Sequence, residues 1–448
     1  MLKALILICL TQFMMSCQPE HGDSGVHLED PVTQKLINLG QKNYNQSRSL
    51  PYLNDDTVSY CEVALPKNEN SLSQIKNYSG FNDKILYPSA SLSKIFLTAF
   101  VIYKLGVDFQ FTQTWKIKSN GDSTYDAYLD TGFDPIFNIE KALYSMTILS
   151  HSGVNKIRNL YITNQSRIYL SVLTNPHLEL DAVPVTAQQS VNNFKLIFNS
   201  VNWGSQTENA RYNVNQFLIQ QNKKLMIPKS FSVDNVELIT DQNQLNQFQN
   251  MQEIMIYSAP IYKYLKEINL TSNNYLSDAL FNYLGGSSEF FQFQKNQLNL
   301  SLNDLIMYTG SGLPLQSKNK RLDNLTTCRA LLKTLHYLKL KSDQYSINMG
   351  ALLLTAGEDQ GTYESDMVFN RSVVLKTGRL YEVPTLNLSG LVSTQKGIFA
   401  FAFLGHHFDN SDEKLMQKKR DDFLSSLMAT YKELPAFKTI PPTTLFFE

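Results

Sequence analysis

The sequence predicts an α+β protein: an antiparallel sheet flanked by helices, interrupted by an inserted α+β, β-rich region. Three observations lead there. Strand-like runs follow one another at Ser372–Leu375, Leu386–Val392 and Ile398–Leu404, and a helical pattern from about Ser411 to Leu434 closes the series. A segment opened by Pro88 and closed by Gly106 is apolar almost all the way round, as in a helix buried inside a domain. Between these regions lies a stretch of different character, rich in Asn and Gln.

In chain order, Pro88 and a run of small residues start the first helix, whose body is Ile95–Leu105. Within the middle stretch, Phe194–Phe198 and Tyr212–Asn215 alternate and read as strands. We expect this insertion to run from 107 to 245, between catalytic segments 31–106 and 246–448. Ser258 with Pro260 behind it begins another helix, and Leu276, Leu280 and Leu284 mark the next by fourfold spacing. In the last helix, Leu415, Phe423, Leu427 and Tyr431 are expected to share one face. A chain of 448 residues can bury a large core and divides into two or three domains.

Three short signatures sit on these elements. Ser91-Leu92-Ser93-Lys94 falls at the start of the buried helix, where residues three apart are surface neighbours, so a hydroxyl and an amine share one face. A serine becomes a nucleophile only when a neighbour takes its proton, and a lysine does so once burial or a second cation lowers its pKa. The helix start also leaves the Ser91 N–H available to an oxyanion. Ser272-Asn273-Asn274 falls on the turn between two helices, a position where Ser and Asn are also ordinary helix caps. Lys376-Thr377-Gly378 continues the first strand of the late series, and Lys376 is a candidate for the second cation. Each signature alone is weak; their order gives them weight.

The S-x-x-K, S-x-N, K-T-G series resembles the active site of penicillin-interacting serine enzymes. More specifically, the chain resembles the D-Ala-D-Ala carboxypeptidase/endopeptidase family, the low-molecular-mass class C penicillin-binding proteins. Gly132-Phe133-Asp134-Pro135, Thr309-Gly310-Ser311-Gly312-Leu313 and Gly357–Thr362 resemble further stretches of that family, so the resemblance runs from about residue 50 to about 410. It implies a penicillin-binding-protein/β-lactamase-like catalytic domain. It also implies a serine-type carboxypeptidase or endopeptidase that cleaves peptidoglycan stem peptides through an acyl-enzyme on Ser91, with β-lactams as covalent inhibitors. Lys94 would be the base and Ser272 the proton relay. Asn274 would orient the substrate amide, while Lys376, Thr377 and Gly378 would hold the terminal carboxylate end of the substrate. Two departures stand out: Thr309 replaces the usual Asp, and Arg379 follows Lys-Thr-Gly where Thr or Ser is usual. The oxyanion donor implied at 379 is a backbone N–H and survives the change; the usual side chain does not, so Arg379 is expected to alter substrate preference or partly shield the cleft.

Lys+Arg 40 against Asp+Glu 40 leaves no basic field, so no nucleic-acid partner is expected. Lys3 and the apolar run Ala4–Leu10 are too short for a permanent span and read as a secretory signal over residues 1–16. Cys17 after Ser16 resembles a bacterial lipoprotein site, with 17–30 as tether. The expectation is a periplasmic protein held by lipid at a membrane, by expectation the outer one; a soluble periplasmic form after ordinary signal cleavage is the alternative. Cys61 and Cys328 then remain to form a disulfide in an oxidising compartment, though nothing in the sequence shows them close. No Cys-x-x-Cys or His-Glu-x-x-His spacing occurs, and His406-His407 reads as a loop, so no metal and no organic cofactor is expected. Other readings of the same motifs are a non-catalytic peptidoglycan-binding lipoprotein, a β-lactamase and a serine esterase.

Overall fold

The computed structural model describes residues 57–66, 79–166, 168, 186–249, 251–317, 320–365, 367–406 and 412–441. The signal, the tether and Cys17 lie outside the described residues. In chain order the principal elements are β1 (Val58–Ala64), β2 (Ser79–Phe81), α1 (Ser93–Leu105), β3 (Thr112–Ser119), β4 (Tyr125–Asp130), α2 (Ile139–His151) and β5 (Lys156–Thr163). Next come α3 (Ala187–Ile197), α4 (Ser205–Gln220), β6 (Ser232–Ile239), β7 (Gln252–Tyr257), α5 (Ile261–Thr271), α6 (Asn274–Tyr283) and α7 (Gly286–Asn296). The chain finishes with α8 (Cys328–Gln344), β8 (Leu354–Thr355), β9 (Val373–Leu380), β10 (Thr385–Thr394), β11 (Gly397–His406) and α9 (Glu413–Tyr431).

The catalytic sheet has the order β8-β9-β10-β11-β1-β2, antiparallel throughout. Its two faces follow from alternation along β11. Phe399, Phe401 and Phe403 point to one side, where Leu424, Leu427 and Met428 of α9 cover them. Ala400, Ala402 and Leu404 point to the other, into the core shared with α1 and α8. Small side chains there let α8 approach β1 closely enough for the Cys61–Cys328 disulfide, with Cα atoms 6.1 Å apart. On α9 the expected Phe423, Leu427 and Tyr431 do pack on the phenylalanine face of the sheet, together with Met416, Leu424 and Met428, whereas Leu415 is exposed.

The insertion is a second layered unit. Its sheet has the order β6-β5-β4-β3-β7; β4, β5 and β6 are parallel neighbours, and β3 is antiparallel to both β4 and β7. Strand β7 lies beyond the boundary expected at 245, yet it pairs with β3 from Thr112↔Tyr257 to Ile117↔Gln252. The segments 194–198 and 212–215, read as strands, are helical, within α3 and α4. Thr186 caps α3 in a reciprocal capping box with Gln189, and Ser190, Phe194 and Ile197 form its buried face. Five residues of alternation cannot outweigh that spacing over eleven. Within the insertion Lys141 and Asp134 form a buried ion pair, and the Tyr264 hydroxyl of α5 fastens it to the rest of the chain by accepting from Lys141 and donating to Asp134. Tyr275 of α6 adds a hydrogen bond to Pro135 O at 3.0 Å, so the Gly132–Pro135 turn abuts the helix that carries Asn274.

Candidate active site

A 3-10 turn, Ala90–Leu92, precedes α1 and presents Ser91 half-buried at the head of a buried helix. Ala90 has φ 47°, a left-handed conformation that costs a non-glycine residue about 1 kcal/mol and points to a turn held by its surroundings. Those surroundings are specific. Ser89 Oγ and Ser93 Oγ are 2.7 Å apart, Asn324 Nδ2 donates to Ser93 Oγ at 2.9 Å, and Asn387 Nδ2 donates to Pro88 O and Ser89 O. Gly312, at φ 86°, lies so close that any Cβ there would collide with the Ala90 carbonyl oxygen.

The three remote signatures converge on this turn. Lys94 is wholly buried, and its Nζ is 3.2 Å from Ser91 Oγ, 2.8 Å from Asn274 Oδ1 and 2.7 Å from Ser311 O. As an ammonium, Lys94 donates to all three oxygens; a deprotonated Lys94 that kept two donors on Asn274 and Ser311 would turn its lone pair to the serine. Ser272 terminates α5 in a left-handed conformation, and its hydroxyl accepts from Lys376 Nζ at 3.1 Å. The intervening Asn273 does serve as a cap, accepting from the Leu276 amide, so one triplet performs both roles. Lys376 is buried on β9, and burial first, then the like charge of Lys94, holds its pKa well below the ordinary lysine value. Gly378 lets β9 lie against the turn that carries Ser91: a Cβ there would be 2.9 Å from Ser89 O and 3.1 Å from Leu92 N.

These groups open on a cleft of about 1630 Å³, lined by Ser91, Ser272, Asn274, Thr377, Gly378 and Arg379 among others. Thr362 Oγ1 meets Thr377 Oγ1 at 2.6 Å. The stretch before Thr362 is anchored by Asp359, which takes a 2.5 Å contact from Lys266 Nζ of α5 and another from the Thr355 amide. Arg379 extends from β9 to α9, with Nη2 2.7 Å from Glu413 Oε2 and its guanidinium 4.5 Å from the Tyr381 ring centre. Thr309 makes a local bond to Leu313 O. Reading motifs in sequence missed Asp278, whose Oδ1 accepts from the Ser311 amide at 2.7 Å and so fixes the carbonyl that Lys94 uses. Burial raises the Asp278 pKa, against the pull of that amide. Its position four after Asn274, on the same helical face, was the available signal. Among the described residues, no group of three His, Cys, Asp or Glu side chains is arranged to hold a metal, and no helix is long and apolar enough to cross a membrane.

Fold and site together define the class: a serine enzyme on the penicillin-binding-protein/β-lactamase fold. Solved structures share that architecture across most of the chain. The predatory endopeptidase Bd3459 of Bdellovibrio bacteriovorus is 21% identical, with 87% of this chain and 96% of that one covered and a TM-score of 0.72. Bd0816, from the same organism, was solved with the immunity protein Bd3460 and gives 22%, 87%, 98% and 0.71. Penicillin-binding protein 4 (dacB) of Haemophilus influenzae gives 18%, 87%, 98% and 0.52. No curated protein sequence matches the chain. Residues 234–427 match the model of the D-Ala-D-Ala carboxypeptidase 3 (S13) family, a span that holds Ser272, Asn274 and Lys376–Arg379, and the family recognised from the motifs is thereby borne out.

Proposed function

We propose that this protein is a serine-type D-Ala-D-Ala carboxypeptidase/endopeptidase that acts on peptidoglycan stem peptides. The observation that carries the reading is the junction of Ser91, Lys94, Ser272, Asn274 and Lys376 at one mouth of one cleft. Lys94 Nζ takes the Ser91 proton as Oγ attacks the carbonyl before the terminal D-alanine. Backbone N–H groups of Ser91 and Arg379 hold the oxyanion. The intermediate collapses by breaking the C–N bond, and the leaving amine takes a proton through Ser272. Because Ser272 Oγ already accepts from Lys376, its own hydrogen is free to point at that nitrogen. Lys376 and Thr377 hold the substrate carboxylate, and water, deprotonated along the same route, releases the acyl group.

The motif order and the family match over 234–427 support this reading over an esterase, and Bd3459 has been captured acylated by penicillin G. The test is labelling by fluorescent penicillin. Stable label on wild type and none on Ser91→Ala supports the assignment; label on both, or on neither, overturns it, and rapid nitrocefin turnover would favour a β-lactamase. Mass analysis of digested muropeptides then separates loss of one D-alanine from cleavage of cross-links. We also read Cys17 as a lipid-bearing residue of a periplasmic protein. The Ser16-Cys17 box supports this, as does the Cys61–Cys328 disulfide, which suits an oxidising compartment. Cys17→Ser should move the protein from the membrane to the soluble fraction; unchanged fractionation would refute the anchor.

A further inference from the structure

Three arginines line the cleft, and their settings differ. The side chain of Arg321 is 14% exposed, held by Asp323 and Glu382; that of Arg420 is 8% exposed and paired with Asp421. The Arg379 side chain is 42% exposed. Glu413 takes one of its five N–H donors and the Tyr381 ring supports its plane, so the head is fixed while the remaining edge faces the cleft. Tyr381 is itself 71% exposed and also lines the cleft.

The direction along β9 identifies what meets this pair. On the function proposed above, the terminal residue of the substrate would lie at Thr377 and the scissile carbonyl between Ser91 and the Arg379 N–H. The acyl side of the stem peptide therefore continues in the direction 377 to 381. From Thr377 to Leu380, where β9 ends, is about 10 Å at strand spacing, and Tyr381 opens the turn that follows. Beyond β8, which pairs only with Val374 and Leu375, the edge of β9 carries no partner strand among the described residues, so an extended peptide can lie beside it.

We propose that Arg379, clamped between Glu413 and Tyr381, is an acyl-side anchor for a free carboxylate of the stem peptide, two or three residues before the scissile bond. This rests on the function proposed above. Two stem carboxylates have the required chemistry: that of the γ-linked D-glutamate and that of a diamino acid of the diaminopimelate type. A fixed guanidinium binds such a group bidentately, whereas the Thr or Ser usual at this position in the family would offer one hydroxyl.

The experiment compares stem pentapeptides with all carboxylates free, with only the glutamate carboxylate amidated, and with only the diamino-acid carboxylate amidated. Wild type should prefer the free peptide over one of the amidated forms by about tenfold in kcat/KM, mostly through KM, and the form penalised identifies the partner. In Arg379→Ala that ratio should fall to about one, and Arg379→Lys should restore part of it. A ratio unchanged in Arg379→Ala, or a wild type indifferent to both amidations, overturns the anchor. Fluorescent penicillin is run beside each protein to separate the two failures. A wild type that takes no label fails the acyl-enzyme reading, and a labelled wild type with no discrimination fails this one alone. Should Arg379→Ala not fold, Tyr381→Leu, which removes only the supporting ring, should lower the ratio as well; a ratio kept at the wild-type value would count against the proposal.

Discussion

Replacing Gly378 by alanine puts a methyl group between β9 and the turn that carries Ser91. The new Cβ would be 2.9 Å from Ser89 O, 3.1 Å from Leu92 N and 3.3 Å from Asn387 Cβ. Two of these neighbours are backbone atoms of the turn that presents Ser91, and that turn is tied by Asn387 and Asn324 and cannot yield cheaply. Restoring ordinary contact requires a separation of about half an ångström between strand and turn. Overpacking of this kind costs about 1–3 kcal/mol of stability. The separation also moves the Arg379 N–H away from the oxyanion position, and since a 1 Å error in placement can cost about a hundredfold, a tenfold loss in acylation rate is the expected scale. The measurement is the second-order rate of fluorescent-penicillin labelling, with thermal unfolding followed on the same samples. Labelling within about twofold of wild type in a folded Gly378→Ala protein would refute the argument that this contact sets the site.

Asn274→Ala removes one of the acceptors that orient Lys94, and the loss of a bond to a charged or charge-forming group should slow acylation about ten- to a hundredfold; an unchanged labelling rate would contradict it. For Lys376 the sign is set by burial and by Lys94, which hold its pKa below the ordinary 10.5. Between those two values the folded state binds fewer protons than the unfolded one, so this group's contribution to stability improves as pH rises toward 10.5. Its cation, in contrast, is lost over the same rise. KM for a substrate with a terminal carboxylate should therefore increase with pH, with an apparent pKa below 10.5, and Lys376→Met should flatten the profile; a wild-type KM constant to pH 10 would exclude this role. The Cys61–Cys328 bridge closes a loop of 267 residues, so Cys61→Ser with Cys328→Ser should lose about 2–5 kcal/mol, read as a lower urea midpoint. Equal midpoints for the bridged and unbridged proteins would show that the link constrains little.

The catalytic half was legible because its signals are local and redundant. Phe399-Ala400-Phe401-Ala402-Phe403 writes a two-faced strand in letters, and Ser91 and Lys94 are three apart on a helix that no solvent-facing pattern would produce. What joins the signatures was not legible. Ala90 in a left-handed conformation, Ser311 lending its carbonyl to Lys94 and Asn387 reaching across to Pro88 are long-range contacts with no spacing rule. In the insertion, Phe194, Ile197 and Phe198 satisfy both a short alternating run and a helical repeat, and capping by Thr186, eight residues before Phe194, decided between them. Arg379 was visible as a departure, but its contact with Glu413, 34 residues on, was not.

Strand β1 takes its place between β2 and β11, paired from Val58↔Gly405 to Ala64↔Phe399. A nascent polypeptide emerging from its amino end must keep this early segment waiting for more than three hundred further residues before its permanent neighbour exists. Contacts so distant along the chain make for slow assembly. The proposed site is in consequence a product of the finished chain: a truncated copy ending before β11 would carry every signature and still be unable to close the sheet that holds them in register.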